Sequence, residues 1–262
     1  MSPRRLRRFG PPLALGMALL LLWQAATLYL NIQDWLLPSP LQILQAGWQA
    51  RGVMGPHVWQ TIQETVIGFA LALLAGLTLG MSIDYSHWLR RALYPLLVLS
   101  QTVPVIAIAP LLVIWFGYGI LPKVLVVGLV CFFPIVVSTA DGLRSADPDQ
   151  IALLRTMGAS RSDVFRLIRL PGALPSVFTG IKVGITYSVV GAIMGEWVGS
   201  SRGLGVFMLR ATNAFRTDWV FVSIAITAAL SVLLFGLVNL VERILLGWYY
   251  ASRRTEEWAE VS

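Results

Sequence analysis

The stretch Asp147–Pro175, DPDQIALLRTMGASRSDVFRLIRLPGALP, is a polar island between two strongly apolar segments. Asp147 can cap a first helix, because its side chain accepts hydrogen bonds from free backbone N–H groups. Pro148 suits the first helical position, and Asp149 faces the positive end of the helix dipole. Gly158 can end this helix in the left-handed conformation that glycine tolerates best. These signals predict one short, capped helix.

A second helix is predicted directly after this glycine. Ser160 and Asp163 have the spacing of a capping box, and Leu170-Pro171 is expected to stop the helix. Two short, basic, capped helices joined sharply between apolar segments indicate a docking surface. We therefore expect a partner protein at this loop.

The composition is that of an integral membrane protein. Hydrophobic residues make up 56% of the chain and charged residues only 13%, about half their share in a soluble domain. The mean hydropathy is +0.73. The net charge of +7 is dispersed between apolar runs, which argues against a nucleic-acid-binding domain. Cys131 is the only cysteine, so one chain can form neither a disulfide nor a thiolate metal site, and a packing role is expected.

Apolar runs of about 20 residues, the length that crosses a bilayer, predict an all-α membrane protein with about six transmembrane helices. The third run contains Pro104 and Pro110, which are expected to break or kink it. The first run is too long for a signal-peptide core and is interpreted as an uncleaved helix. The predicted spans are Pro12–Ile32, Trp59–Ile83, Leu93–Phe116, Val124–Ala140, Ser176–Trp197 and Trp219–Leu240.

The distribution of Lys and Arg predicts the orientation. With the N-terminus inside, cytoplasmic segments hold 15 of the 20 basic residues. The external segments hold the other five: Arg51, Lys123, Arg202, Arg210 and Arg216. Both termini and the docking loop are therefore expected in the cytoplasm. The whole chain, 1–262, is predicted to be one transmembrane domain with its core at about 59–245. Residues 1–58 would be the first helix and an external connector, Trp35–His57. This connector is expected to contain a short amphipathic helix at Leu41–Gln49 that lies on the membrane. The alternative is a plain solvated loop.

The loop resembles that of ABC-importer permeases, the binding-protein-dependent transport family. Their signature is Glu-Ala-Ala, three residues, Gly, nine residues, Ile, any residue, Leu-Pro. The glycine, isoleucine, leucine and proline positions are matched, whereas Ala152, Leu153 and Leu154 replace Glu-Ala-Ala. Three flanking segments are also similar to the family: PVIAIAPLLVIWFGYG (Pro104–Gly119), FFPIVVSTADGLRSADP (Phe132–Pro148) and GEWVGSSRGLG (Gly195–Gly205).

This resemblance implies the type I importer permease fold, with coupling helices at about 147–170 in the cytoplasm. It also implies a homodimer in the cell inner membrane, two cytoplasmic ATPase subunits that carry ATP-Mg, and an external substrate-binding protein. No cofactor is expected in this chain. The expected ATPase-coupling residues are Ala152, Leu153, Leu154, Arg155, Met157, Gly158, Ser160, Arg161, Ile168, Leu170 and Pro171. The alternative is that the loop's leucines and Met157 pack back onto the protein's own helix ends.

The fifth span carries a ridge of small residues at four-residue spacing, Gly180, Gly184, Ser188 and Ala192. Such ridges permit close helix contacts, and Gly76-x-x-x-Gly80 predicts another. Ordinary helix packing is the favoured interpretation, and a pathway between two copies is compatible with it. Val189, about 100° around the helix from Ser188, is then expected to face lipid. Glu196 is either a functional acid or a hydrated carboxylate at the external mouth. The candidate pathway residues are Gln101, Thr102, Gly184, Tyr187, Ser188 and Glu196.

No motif for catalysis is present. The sequence lacks a P-loop, a His-Glu-x-x-His pair and a nucleophile elbow, and His57 and His87 are expected at membrane interfaces. Energy for transport must then come from a partner. Within the family, LLRTMGAS and MGEWVG resemble importers of thiamine-pyrimidine precursors or riboflavin, with sulfonate, taurine or nitrate permeases as the alternative. A self-contained secondary transporter is a further alternative, although its intramembrane charge pairs and repeated broken helices are not evident in the sequence.

Overall fold

The computed structural model describes the backbone of residues 3–249 and the side chains of residues 10–249. Almost all of this part is helical. A π-helical turn, Phe165–Arg169, joins α7 to α8. The helices are α1 (Pro3–Tyr29), α2 (Pro40–Tyr85), α3 (His87–Ser100), α4 (Val105–Phe116), α5 (Leu121–Arg144), α6 (Pro148–Thr156), α7 (Arg161–Val164), α8 (Leu170–Trp197), α9 (Leu204–Asn213) and α10 (Thr217–Leu245).

The predicted all-α membrane architecture is confirmed. In the described part of the chain, five helical segments are long and apolar enough to cross a membrane, and a bent pair raises the number to six. That pair is α3 and α4, which meet at 99°. The expected break in the span Leu93–Phe116 is confirmed at Pro104, whereas Pro110 lies inside α4 without ending it. Pro104 lacks the N–H group that continuing the helix would require.

The predicted helix at Leu41–Gln49 is helical in the structure, but from residue 40 onward the predicted connector Trp35–His57 is not a separate segment. Pro40 begins α2, a single helix of 46 residues that includes Pro56 and the predicted second span. The Ser39 side chain accepts from Gln42 N–H, and the Gln42 side chain accepts from Ser39 N–H, which completes a capping box. The helix continues because Ala46, Ala50 and Met54 pack against Leu204, Phe207 and Val222 of α9 and α10. The helical core therefore begins before residue 59.

The loop helices have the predicted caps. The Asp147 side chain accepts from Asp149 N–H at 2.9 Å, and Ser160 and Asp163 form a complete capping box. Gly158 adopts φ +85°. The N–H groups of Ala159 and Gly158 bond to the carbonyls of Leu154 and Arg155, which is a Schellman motif.

The predicted stop at Leu170-Pro171 is wrong. The chain runs as one helical segment from Arg161 to Trp197, 37 residues, with the π-helical turn directly before Leu170. Pro171 directly follows the π-helical turn, and local π geometry of this kind compensates for the N–H group that proline lacks inside a helix. The second loop helix and the fifth span are thus one rod.

Helix α5 lies at the centre of the bundle between α2 and α8, and glycines make both contacts close. A Cβ atom at Gly76 would lie 2.7 Å from the Ile135 side chain, and one at Gly80 would lie 2.6 Å from Thr139. On the other side, a Cβ at Gly180 would lie 2.6 Å from the carbonyl oxygen of Pro134. The predicted close contact at Gly76-x-x-x-Gly80 is confirmed, and its partner is α5.

We expect Gly180→Ala to lower the thermal midpoint of the detergent-solubilised protein. The added methyl group meets a backbone carbonyl of α5 that cannot move alone, and overpacking of this kind costs about 1–3 kcal/mol. Gly236→Ala in α10 is the matched control, because a Cβ there has no neighbour within 4 Å. Equal midpoints for the two variants would contradict the close packing of α8 on α5.

Candidate functional site

The two loop helices present an apolar surface that the described chain does not cover. Leu153 and Met157, one helical turn apart, are 64% and 74% exposed. Helix α6 has no buried residue at all. The alternative was that these side chains pack back onto the protein itself. Of the three, only Leu154 is half-buried, so the alternative holds for that residue alone.

The other predicted coupling residues divide into an exposed group and a helical group. Ala152, Arg155, Ser160 and Arg161 are exposed on the loop helices. The half-buried residues of the signature belong to the continuous helical segment that follows. These are Ile168 and Pro171, with Leu170 at 36% exposure between them.

The structure brings only two of the predicted pathway residues together. Gln101 and Tyr187 line a cavity of about 270 Å³ at the bend between α3 and α4, beside Val130 and Phe133 of α5. Thr102 is exposed at the same bend, and its hydroxyl donates to the carbonyl of Leu99. This cavity is a shallow surface feature, with Tyr187 54% exposed.

Gly184 and Ser188 lie on the face of α8 that packs against α5 and do not line this cavity. A Cβ at Gly184 would lie 3.3 Å from the carbonyl oxygen of Cys131, and Ser188 is fully buried. Ordinary helix packing thus describes this ridge within one chain. Val189 was expected to face lipid, which is wrong: it is 0% exposed, and Val190 is the neighbouring residue that points outward. The buried stripe of α8 is wider than a single row because α2 and α10 also pack on this helix.

Glu196 is the centre of a buried polar cluster, which we call the carboxylate cluster: His57, Thr61, Glu64, Lys123 and Glu196. Glu196 is 0% exposed, so it is not a hydrated group at the mouth of a pathway. Its Oε1 accepts from the Thr61 hydroxyl at 2.6 Å, and its Oε2 accepts from Gly205 N–H at 2.5 Å. The turn before α9 fits closely around it, since a Cβ at Gly203 would overlap the Glu196 carboxylate.

Glu64 and Lys123 form the second half of the cluster. Lys123 Nζ lies 3.5 Å from Glu64 Oε1 and donates to Ser200 Oγ at 2.8 Å. Gln60 Nε2 also donates to Glu64 Oε1, at 2.8 Å. His57 Nδ1 accepts from Gly203 N–H at 3.0 Å. The cluster therefore connects α2, α5 and α8 to the loop before α9.

Three expectations from sequence are corrected here. His57 is buried against Phe207 and not interfacial, and Lys123 is 5% exposed and not an external loop charge. Charge pairs between spans are present: Glu64–Lys123 near one end of the bundle, and Lys182–Glu242, at 2.9 Å, between α8 and α10. Cys131 is buried, in agreement with the predicted packing role. Ionisable residues inside apolar runs, as Glu64 and Lys182 are, were the signal that could have found these pairs.

The chemistry of the cluster is structural. It contains carboxylates, one ammonium group and hydroxyls, held by one another and by backbone N–H groups. Within the described residues, no group of three or more His, Cys, Asp or Glu side chains is arranged to hold a metal ion. A buried charge pair fixes the relative position of the helices that carry it, because separating the charges in an apolar interior is costly.

We expect Lys123→Met to destabilise the protein by about 3–5 kcal/mol, since it leaves the Glu64 carboxylate buried without its cation. Adding Glu64→Gln to the same chain should recover most of the loss. The thermal midpoint in detergent measures both. Arg216→Gln is the control, because its pair with Asp218 is partly exposed at 45% and 25% and is worth about 0–1 kcal/mol. A loss of equal size in the single and double variants would argue against a charge pair.

Comparison with known proteins identifies relatives along most of the chain. Residues 68–246 match the family described as "Binding-protein-dependent transport system inner membrane component". The formylaminopyrimidine transport permease protein ThiX of Halalkalibacterium halodurans is 39% identical over 238 residues, which cover 90% of this chain and 95% of the relative. The riboflavin transport system permease protein RibX of Chloroflexus aurantiacus is 37% identical over 252 residues, 94% of each chain. The taurine transport system permease protein TauC of Escherichia coli is 34% identical over 244 residues, 90% of this chain and 88% of the relative.

A solved structure shares the fold. The helices superpose on a chain of the MetNI methionine ABC transporter in an inward-facing conformation with a TM-score of 0.54. The match covers 71% of this chain and 96% of the other, at 18% sequence identity. At this identity the likeness concerns the arrangement of helices, which is the type I importer permease fold.

Proposed function

Because this chain belongs to the family of inner-membrane components of binding-protein-dependent transport systems and is a permease subunit of an ABC importer, we propose that its loop helices α6 and α7 receive the ATPase subunit. The permease is not an enzyme, and ATP hydrolysis takes place on a separate subunit. ATP-Mg accordingly belongs to that subunit. A self-contained secondary transporter, the other class considered from the sequence, does not agree with this membership.

The observation that carries the proposal is the uncovered apolar surface of α6. Leu153 and Met157 project from a helix with no buried residue, and the Schellman motif at Gly158 holds that helix at a fixed angle to α7. An amphipathic helix of this kind is recognised by a groove on its partner. Ala152 stands where the family has glutamate, so apolar contact carries more of the binding here than an ion pair. Arg155, Ser160 and Arg161 are exposed beside this apolar surface.

We expect Leu153→Asp and Met157→Asp each to reduce substrate-stimulated ATP hydrolysis of the assembled complex by about tenfold or more. Both place a charge in an apolar contact, and each 1.4 kcal/mol of lost coupling corresponds to a factor of ten. ATPase activity of the reconstituted complex is the measurement, with membrane insertion checked separately. Ser145→Asp is the control, since it adds a charge at an exposed position beside the loop but outside α6 and α7. Full stimulation in both α6 variants would contradict the docking surface.

The docking proposal requires the loop in the cytoplasm, together with both termini. Basic residues support this orientation, because Arg90, Arg91, Arg144 and the arginines of the loop lie at one end of the bundle. The two basic residues buried in ion pairs, Lys123 and Lys182, carry little topological information, and the imbalance remains without them.

We expect a cysteine at Ser145 to react with a membrane-impermeant maleimide only from the cytoplasmic side, and one at Ser201 only from outside. Both positions are exposed at opposite ends of the bundle. Cys131 can stay in place as an internal control, because it is 0% exposed and should not react. Labelling of Ser145→Cys from outside would reverse the proposed orientation.

The substrate pathway is proposed to form between two copies of this chain. The cavity at Gln101 and Tyr187 is open on the surface, and a second copy facing it would enclose it. In such a homodimer the bend between α3 and α4 would move as the ATPases close, so that the pathway opens alternately to each side. An external binding protein would deliver the substrate.

A small heterocycle is the proposed substrate, such as a thiamine-pyrimidine precursor or riboflavin. The relatives named for formylaminopyrimidine and riboflavin are 39% and 37% identical, and the one named for taurine is 34% identical. Taurine, sulfonate or nitrate remains the second candidate because these identities are close. Glu196 does not help to choose, since a carboxylate buried in the cluster does not line the pathway.

We expect proteoliposomes that contain this permease, its ATPase and its binding protein to accumulate labelled formylaminopyrimidine or riboflavin when ATP is present. An excess of unlabelled taurine should leave that uptake unchanged, because a planar ring and a small anion require different contacts. A Walker-motif variant of the ATPase serves as the control without transport. Uptake of taurine and no uptake of either heterocycle would select the second candidate.

A further inference from the structure

A cavity of about 830 Å³, lined by charged and apolar side chains, lies at the end of the bundle that carries the loop helices. Its wall is formed by the last turn of α2, the first turn of α3 and the segment from α6 to the π-helical turn. The cavity is distinct from the exposed apolar surface of α6, since neither Leu153 nor Met157 lines it. Three arginines and one acid line it: Arg155, Arg161, Arg169 and Asp84.

The charges in this cavity are unbalanced. Asp84 is paired with Arg169, whose Nη1 lies 2.9 Å from Asp84 Oδ2. Arg155 and Arg161 have no carboxylate partner within 4.0 Å among the residues that the structure describes. Three guanidinium groups against one carboxylate leave a site for an anion, and a planar guanidinium binds phosphate oxygens with two parallel hydrogen bonds.

The level of the cavity in the membrane points to the source of that anion. Tyr85 ends α2 and Trp88 lies in the first turn of α3, with exposed fractions of 92% and 75%. Exposed aromatic side chains at span ends mark the level of lipid head groups. Met81 and Leu89 add an apolar part to the lining, beside which an acyl chain can pass. Basic pockets between spans on the cytoplasmic side are the sites where anionic head groups bind.

We propose that this cavity binds the phosphate of an anionic phospholipid. The cytoplasmic position rests on the proposed function, whereas the charge, volume and aromatic rim do not. Arg155 belongs to α6 and Arg161 to α7, so a bound phosphate connects the joint of the loop helices to the turn between α2 and α3. Occupancy thereby stabilises the angle at which α6 is presented to the ATPase.

The test measures lipid retention by the full-length permease alone, without ATPase. The protein is purified from nanodiscs of phosphatidylcholine with or without phosphatidylglycerol, and native mass spectrometry counts the retained lipids. We expect the parent chain to retain more phosphatidylglycerol than phosphatidylcholine. In the double variant Arg155→Gln/Arg161→Gln, the ratio of the two retained lipids should fall about tenfold. Asp84→Asn should increase retention, because it frees Arg169 for the phosphate. Arg91→Gln, which removes an exposed arginine of α3 outside the cavity, is the matched control and should resemble the parent.

Each outcome decides the proposal. Equal retention by the parent and the double variant overturns it, and so does a loss of the same size in Arg91→Gln. If millimolar inorganic phosphate displaces phosphatidylglycerol, the site binds a free anion, and the proposal of a lipid site is wrong. If the double variant binds ATPase poorly yet retains lipid normally, the arginines serve the ATPase surface and the lipid proposal fails. If lipid retention follows the prediction while Leu153→Asp leaves ATPase coupling intact, the lipid site stands and the docking proposal fails.

Discussion

The close approach of α2 and α8 to α5 is the contact on which the bundle depends. Lipid tails are as apolar as leucine, so spans do not associate to escape water and must gain energy from short-range packing. Glycines at positions 68, 76 and 80 of α2 and at 180, 184, 191 and 195 of α8 all face α5. An added methyl group would overlap α5 at Gly68, Gly76, Gly80 and Gly180, and it would be tightly packed at Gly184, Gly191 and Gly195. The three helices therefore form one rigid body.

The carboxylate cluster adds an electrostatic connection at one end of the same three helices. Glu64 belongs to α2, Lys123 to α5 and Glu196 to α8, and the turn at Gly203 closes over them. At the other end, α6 has no buried residue, so a partner can displace it without opening the core. The continuous segment from Arg161 to Trp197 joins these two ends.

Sequence patterns within a few residues predicted the caps and turns correctly, but they did not predict contacts between segments that are distant in sequence. The caps at Asp147 and Ser160 and the turn at Gly158 depend on residues within a few positions, and the sequence predicted all three. Helix α2 began earlier than predicted because its prolines suggested a loop, although Ser39 and Gln42 already had capping-box spacing. The partnership of Glu64 with Lys123 joins two helices far apart in sequence, and no periodicity reports such a pair. The site was predicted only where it is made of one segment.

The signature residues that this chain keeps are those that its own helices require. Gly158 adopts φ +85°, a conformation that residues with a side chain rarely accept, and Pro171 follows the π-helical turn in the first turn of α8. Replacement of Gly158 would change the angle between α6 and α7. Ala152 and Leu153, which replace the first two residues of Glu-Ala-Ala, are exposed on α6 and contribute nothing to that geometry. The departure from the signature therefore leaves the fold as it is, and in the proposed docking these two side chains are free to follow the surface of the ATPase.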